Sequence, residues 1–310
     1  MYPKAYLEII YEICQKYNIS IKQINQTSIL ELNYNKSTHF IWSRRFDINS
    51  AISAKIADNK HETSKVLESH NIPVVNCKKI TRPYTIEYDD SISSNYCICK
   101  ELLDKHGAVV IKPNNSYEGN GVYKCINGKQ IEEALTNLYA KYKYLVVSPY
   151  VNIKSEYRAI FLKGEVLLVY KKDLPFIVSD GKKTVVELLL QKEEYFSFIS
   201  SFKEIELKQV YEKGEKIYLN WKFNLSQGAF CSIVHEKSLY NKLSSLAIAA
   251  ANTIGIAFAS VDIIVDDNDQ MRLLEINSGV AMDQFIQKET SGRQIAASIY
   301  EKAIKYMFDL

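Results

Sequence analysis

A mixed α/β (α+β) fold is the class this sequence predicts, and three observations carry the prediction. Short β-rich runs alternate with an amphipathic helical run between residues 108 and 172. A second pair of β-rich runs flanks the turn-rich segment DDNDQ, and helical patterns over 239–254 and 291–308 enclose that pair. Hydrophobic residues make up 47% of the 310 positions and charged residues 24%, with only 11 Gly and 6 Pro, so disorder is excluded as the main description. The formal net charge of +3 is too balanced, and its charges too interspersed, to call for a nucleic-acid partner.

In chain order, Leu7, Ile10, Tyr11 and Cys14 give 2–17 the spacing of a helix with one buried face, ended by Asn18. Alternating segments follow over 29–42. AKIADNKHETSKVLESHNIPVV then reads as one helix running into an extended IPVV, with Pro73 forcing the helix to stop before it. AVVIK is a strand leading into PNNSYEGNG and a second strand, VYKCI; Asn127 caps the helix KQIEEALTNLYAKY, and YLVVSPYV is the next strand. YRAIFL and EVLLVYKK form a hairpin about Lys163 and Gly164. Residues 176–224 are the least legible, with a DGKK turn and a helix over 184–191. Beyond them come GAFCSIV, a helix closed by Gly255 in a left-handed cap, the late hairpin, and a final helix.

The six cysteines, at 14, 77, 97, 99, 125 and 231, offer neither a disulfide framework nor a zinc pattern and fit a reducing compartment. The longest apolar stretch, 247–261, contains polar residues and falls short of a membrane span; the opening residues show no signal-peptide cleavage pattern. A cytoplasmic protein without membrane association is the expectation.

The late hairpin carries the clearest chemistry. With a two-residue loop at Asn268 and Asp269, Asp267 pairs with Gln270, and equal steps outward set Asp262 opposite Glu275, with Asn277 on the same face. Opposed carboxylates repel unless a cation lies between them, and hard oxygen donors suit Mg²⁺ bridged to phosphates. An exposed hairpin face with scattered acids is the alternative, and a bulge would change the register. In KPNNSYEGNGV, Gly119 and Gly121 accept backbone angles that let N–H groups approach phosphate, although this is neither a Walker loop nor a dinucleotide fingerprint, and an ordinary surface hairpin fits it too. Lys112 ends its apolar strand at the mouth of that loop. Lys60, at a helix start, opposes the dipole unless an anion is near. Glu156 and Arg158 share a strand face, and Lys171 ends the partner strand; as with Lys60, a solvated surface is the alternative for these.

Taken in order, seven segments resemble the ATP-grasp superfamily of carboxylate–amine ligases, within it the branch of cyanophycin synthetase and the ligase module of bifunctional glutathione synthetases. They are SAKIADNKHETSKVLESHNIPV, VVIKPNNSYEGNGV, YLVVSPYV, SEYRAIFLKGEVLLVYKK, LPFIVSDGKKTVVELL, FNLSQGAF and SVDIIVDDNDQMRLLEINSG. The resemblance implies an ATP-grasp fold with a small N-terminal region over 1–58, a mobile lid over 59–148 and a larger mixed-sheet catalytic unit over 149–310. It implies an ATP-dependent ligase that joins a carboxylate, an amino acid or small peptide, to an amine through an acyl phosphate. ATP and Mg²⁺ are the implied cofactors, with two ions and Mn²⁺ able to substitute. Lys60 and Lys112 match the lysines on the ATP phosphates. Asn115, Ser116, Gly119 and Gly121 match the flap over them, and Ser148, Pro149, Tyr150 and Val151 the adenine hinge, with Glu156 also on the nucleotide side. Asp262, Glu275 and Asn277 match the magnesium ligands, and Arg158, Lys171 and Asn224 acyl-phosphate or substrate contacts.

Three departures stand out. The chain has VSDG at 178–181 where relatives often have VGDG. Asn220 stands where they have an arginine, which removes an anion contact unless Lys222 supplies it. SGVAMDQF at 278–285 replaces their Pro-Gly turn, so the acceptor's identity does not carry over. The implied partners are a small carboxylate and amine, or a carrier-protein- or peptide-bound substrate, and a second copy in a homodimer. A nucleotide-binding regulatory protein without turnover is the alternative from another class.

Overall fold

The computed structural model describes residues 4–83, 89–116 and 119–310, without the side chains of 89–93. Met1 to Pro3 of the first helical pattern, and Tyr117 and Glu118 of the glycine loop, lie outside the described residues.

The N-terminal part comprises α1 (Lys4–Lys16), a four-stranded antiparallel sheet of β1 (Ser20–Gln23), β2 (Ile29–Tyr34), β3 (Ser37–Trp42) and β4 (Arg45–Phe46), then α2 (Ala51–Ala57) and α3 (Lys60–Ser69). The single helix expected over 54–70 is two. Asn59 is extended, and its side chain accepts from the Glu62 amide, so it starts a new helix in mid-run. The IPVV segment makes only an isolated parallel bridge, Val74 to Leu273.

The second part comprises β5 (Lys78–Thr81), α4 (Asp89–His106), β6 (Val109–Pro113), β7 (Tyr123–Cys125), α5 (Gly128–Tyr139) and β8 (Tyr144–Pro149). Its sheet has the order β5-β8-β6-β7, all antiparallel. The helices cover one face, where Val109, Ile111 and Val147 meet Leu103, Ile131 and Leu135 in a separate core.

The third part contains β9 (Ile153–Leu162), β10 (Glu165–Asp173), β11 (Phe176–Val178), α6 (Val185–Leu189), α7 (Glu204–Leu207), β12 (Lys216–Tyr218), β13 (Phe230–Ile233), α8 (Lys237–Ile254), β14 (Phe258–Asp266), β15 (Met271–Asn277), α9 (Asp283–Lys288) and α10 (Gly292–Met307). Five strands form an antiparallel sheet ordered β13-β10-β9-β14-β15. The poorly legible 176–224 region resolves into the β11–β12 ribbon, two short helices and a 3₁₀ segment over Glu193–Ser201, packed on their own small core. The helix expected over 184–191 is the shorter α6, opened by a reciprocal cap between Thr184 and Glu187.

The large sheet has two different faces. Val261, Ile263, Ala159, Phe161 and Val169 pack under α8, whose Ala247, Ala250 and Ala251 let it lie close. Phe258, Ile160, Leu162, Leu168 and Tyr170 face α1, α10 and the N-terminal sheet. Every residue of β14 is therefore buried. At its start the Asn49 side chain accepts from the Ala257 and Phe258 amides at 2.9 and 2.8 Å and donates to the Phe258 carbonyl at 2.8 Å, fixing the N-terminal part to the strand. No helix among the described residues is long and apolar enough to cross a membrane.

Candidate functional site

Where the second apolar face gives out, four neighbouring strands turn charged side chains into a cavity of about 530 Å³ between the five-stranded sheet and the β5-β8-β6-β7 sheet. Glu156 and Arg158 come from β9, Lys172 from β10, Asp262 from β14, and Glu275 and Asn277 from β15. The period of two that points Phe258 and Ile160 into a core below points Asp262 and Arg158 here.

Asp262 does lie opposite Glu275, by a different route from the expected one. The turn holds three residues, with Asp266 paired to Gln270 and Asp269 in the left-handed region at φ 58°. That lengthening moves the register by one. A bulge between Asp262 and Ile263 then restores it, so Asp262 faces Glu275 and Ser260 faces Asn277. Asn277 Nδ2 donates to Glu275 Oε1 at 3.2 Å on the shared face.

A bulge of the same kind corrects the placement of Lys171. Between Val166 and Leu168 the β9–β10 register slips by one, so Lys172, and not Lys171, pairs with Glu156. Lys171 pairs with Asp173 at 2.6 Å on the other face and does not line the cavity.

The buried charges form one cluster. Arg158 grips Asp262 with both forks, Nε to Oδ1 at 2.7 Å and Nη2 to Oδ2 at 2.6 Å, and Lys172 Nζ lies 3.2 Å from Asp262 Oδ1 while also pairing with Glu156. Desolvation alone would raise the Asp262 carboxyl, but Arg158 and Lys172 together hold it well below the usual carboxylate range. For Glu156 burial outweighs Lys172, and its carboxyl is pushed up, with Asp262 adding to the shift. Burial tends to lower Lys172, yet the two carboxylates keep it above its ordinary value.

On the other wall, Lys112 projects from β6 and Lys60 from the first turn of α3. Burial pushes the Lys112 ammonium below its ordinary value, helped by Lys60 and opposed by Glu275. Lys60 Nζ donates to the Ser116 carbonyl at 2.7 Å and lies 3.7 Å from Glu275 Oε2. The glycine loop thus folds back over the start of α3, where the Asn114 side chain also accepts from the His61 amide. Ser116 and Gly119 line the cavity; Asn115 and Gly121 do not. Gly119, at φ +69°, sits against Asn224, where an added Cβ would come within 2.8 Å of Nδ2. Gly121 instead packs on Leu138 and Pro113. The Asn224 side chain caps the short turn Leu225–Gln227 and lines the cavity, as do Ser148, Pro149, Tyr150 and Val151.

Several lining residues escaped sequence reasoning. Trp221 enters from the connection after β12, beside Lys222, which the sequence offers as the stand-in for the arginine absent at Asn220. Burial lowers the Lys222 ammonium, which forms no ion pair among the described residues. Arg44 lies in the β3–β4 turn and Arg45 opens β4, both more than a hundred residues in sequence from β9, β10, β14 and β15, whose side chains line the same cavity. Arg44 pairs with Asp283, and Arg45 with Asp58 at 2.8 Å, while the fully buried Ser278 hydroxyl donates to Asp58. The local signal was the doubled arginine in WSRRF between two β-rich runs; its destination depends on tertiary packing.

Asp262, Glu275 and Asn277 present two carboxylates and an amide oxygen on one wall, a hard donor set that fits a divalent cation. Arg158 and Lys172 already occupy the Asp262 oxygens, and among the described residues no group of three or more His, Cys, Asp or Glu is placed to hold a metal ion by itself. The residues therefore fit an ion that arrives with further oxygens, such as those of a polyphosphate.

Residues 214–303 match the RimK-like ATP-grasp domain. The chain is 22% identical to cyanophycin synthetase of Crocosphaera subtropica, over 81% of this chain and 30% of that protein. It is 25% identical to the glutathione biosynthesis bifunctional protein GshAB of Pasteurella multocida, over 83% of this chain and 33% of that protein. It thus spans about a third of the length of these two relatives. The crystal structure of a bifunctional glutathione synthetase from Pasteurella multocida superposes with a TM-score of 0.54 at 20% identity, covering 96% of this chain and 44% of that one. ATP-grasp ligases as a group use ATP and Mg²⁺. The chain therefore has the mixed α/β fold of ATP-grasp ligase structures, and the part of it that matches the RimK-like ATP-grasp domain is 214–303.

Proposed function

We propose that the protein is an ATP-dependent carboxylate–amine ligase working through an acyl phosphate. The observation that carries this reading is the meeting, in one cavity, of Lys60 and Lys112 with Asp262, Glu275 and Asn277 beneath a glycine loop. An unactivated carboxylate would have to expel oxide. Attack of its oxygen on the γ-phosphorus of ATP releases ADP and creates an acyl phosphate; attack of an amine nitrogen on the acyl carbon then releases phosphate. Lys60 and Lys112 neutralise the phosphates, and Arg158, Lys172 and Asn224 orient the carboxylate and its phosphate. Asn115, Ser116, Gly119 and Gly121 form the flap that excludes water from the intermediate, Ser148 to Val151 the adenine hinge, and Glu156 the nucleotide side. Asp262, Glu275 and Asn277 would hold two Mg²⁺ ions, replaceable by Mn²⁺, whose contribution is charge neutralisation on the transferred phosphoryl group. Of the expected lid, 59–148, the part beyond Val75 acts as lid over the unit 149–310, since α3 and the chain leaving it are held to Leu273, and 1–58 packs on that unit from the other side. The protein works in the cytoplasm, on a small amino acid or peptide and an amine, as a homodimer.

The test is ADP release from protein, ATP and Mg²⁺ over a matrix of amino-acid pairs, with the products identified by intact mass. Release that requires both a carboxylate and an amine supports the ligase. Release with neither, or nucleotide binding with no turnover on any pair, contradicts it. A mass increase only on a carrier protein or peptide would place one substrate on that carrier. The grip of Arg158 and Lys172 on Asp262 is the one observation that favours a non-catalytic nucleotide-binding protein, and the same assay decides it.

A further inference from the structure

Asn277 is the last residue of β15, the outermost strand of the large sheet, and its ladder partner, Ser260, lies on one side only. Strand ends held in that way fray, and the exit that follows, Ser278 to Phe285, has no proline to stiffen it. Asn277 nevertheless keeps Nδ2 on Glu275 Oε1, at 3.2 Å, which leaves Oδ1 to meet a cation. The hold comes from the N-terminal part. Asp58, the C-cap of α2, accepts from the Ser278 amide on Oδ1 at 3.1 Å and from the Ser278 hydroxyl at 2.9 Å. Arg45 Nε donates to Ser278 Oγ at 3.0 Å and to Asp58 Oδ2 at 3.1 Å, and its Nη2 donates to Asp58 Oδ2 at 2.8 Å. Ser278 is fully buried, and Asn49 Nδ2 reaches its carbonyl at 3.4 Å. Neither Asp58 nor Ser278 lines the cavity of the phosphate lysines, whereas Asn277 does.

We infer that Asp58 is a positioning residue for the divalent cation: through Ser278 it aims Asn277, so that the N-terminal part sets metal affinity without supplying a ligand; the inference rests on the magnesium site proposed above. The carbonyl carbon of Asn277 and the nitrogen of Ser278 belong to one planar peptide unit. Holding that N–H on Asp58 fixes ψ of Asn277, the pairing with Ser260 fixes the residue from the other side, and the direction of its side chain follows. The Arg45 guanidinium and the Ser278 hydroxyl keep the carboxylate from turning away, and hydrogen bonds to an ionised group are about twice as strong as neutral ones. Lys60, two residues beyond Asp58, does not depend on this grip. Thr63 Oγ1 donates to the Ile56 carbonyl at 2.6 Å and Asn59 caps α3, whereas the Asp58 carboxylate bonds, among the described residues, to Arg45 and Ser278. Cation binding and phosphate binding can therefore be perturbed separately.

The experiment titrates Mn²⁺, followed by electron paramagnetic resonance, into the full chain carrying the non-hydrolysable analogue β,γ-methylene-ATP, with protein in excess over the analogue. Asp58→Ala should raise the Kd for Mn²⁺ about ten-fold, as loss of a group behind a metal ligand does. Affinity for the analogue in the presence of EDTA, which Lys60 and Lys112 carry, should stay unchanged. Asn277→Ala should raise the same Mn²⁺ Kd, and in that background Asp58→Ala should add nothing, because a residue acting through Asn277 has nothing left to aim. A merely loosened fold would weaken Mn²⁺ and metal-free analogue together and would add to Asn277→Ala. If Asp58→Ala shows no cooperative urea transition, Ser278→Ala, which removes the hydroxyl and keeps the amide, should give the same pattern with a smaller loss. Unchanged Mn²⁺ affinity, a parallel loss of metal-free analogue affinity, or additive effects with Asn277→Ala overturn the inference. Failure of the magnesium site itself is distinguishable: Asn277→Ala would then bind Mn²⁺ as the unaltered protein does, which overturns both, whereas a weakened Asn277→Ala beside a silent Asp58→Ala overturns this inference alone.

Discussion

Replacing Lys172 and replacing Lys171 should have very different consequences, although the two are neighbours of the same type. Lys172 is 95% removed from solvent and bridges Glu156 and Asp262; Lys171 is 36% exposed and pairs with the equally exposed Asp173. Removing one member of a buried ion pair costs about 3–5 kcal/mol, because the stranded charge stays desolvated. An exposed pair is worth about 0–1 kcal/mol. Lys172→Met should therefore lower the unfolding free energy by at least about 2 kcal/mol more than Lys171→Met. Glu156, already raised by burial, limits the loss by taking up a proton. Lys172→Met with Glu156→Met should recover much of the loss, since both partners are then apolar and no buried polar group is left unpaired. Urea unfolding of the four proteins at neutral pH measures the stabilities, and ADP release measures turnover, which Lys172→Met should depress and Lys171→Met should spare. Equal costs for the two single substitutions, or no recovery in the double, would refute the register argument.

Three further outcomes follow from the same cavity. Lys112 titrates below its ordinary value, so its charge is lost as pH rises through that lowered pKa; nucleotide affinity should weaken on the alkaline side, and Lys112→Arg, which does not titrate, should flatten that limb in a Kd–pH series. Because the donor set is incomplete, Mn²⁺ titrated under electron paramagnetic resonance should show tight binding only with ATP present, and Glu275→Ala should weaken that binding at least about ten-fold. Gly119→Ala forces a side chain into the left-handed region and against Asn224, at a cost of about 1–2 kcal/mol, and should raise the Kd for ATP about ten-fold; unchanged affinity would separate the loop from the nucleotide.

Local chemistry made β2, β3, β6 to β10 and β13 to β15, most helices and the opposed Asp262 and Glu275 legible in the sequence, but not β1, β5, β11 or β12. The two bulges show where legibility ends. At the late hairpin an unread bulge cancelled an unread turn residue, and the pairing came out as expected. At Leu167 nothing cancelled the slip, and Lys172 took the place expected of Lys171. Periodicity says which residues share a face, but register depends on single-residue insertions that hydrophobic pattern does not encode. The break at Asn59 was legible in principle, since Asp58-Asn59 ahead of Glu62 is a cap signal inside the run taken as one helix. Helix α4 was not read at all, and Arg44 and Arg45 reach the cavity through tertiary packing that no local pattern reveals.

The bridge between Val74 and Leu273 is small, yet it determines what can move. The Val75 amide donates to the Leu273 carbonyl at 2.9 Å, and the Leu273 amide to the Pro73 carbonyl at 2.9 Å, so the chain leaving α3 is stitched to the outermost strand of the large sheet. Any swing of the β5–β8 sheet has its fulcrum beyond Val75. Lys60 then stays beside Glu275, whereas Lys112 travels with the swinging sheet, and the contacts of Ser116 and Asn114 with the start of α3 are the latch that parts. A polyphosphate touching both ammonium groups would bolt the two bodies together, so that filling the cavity and shutting it become one event.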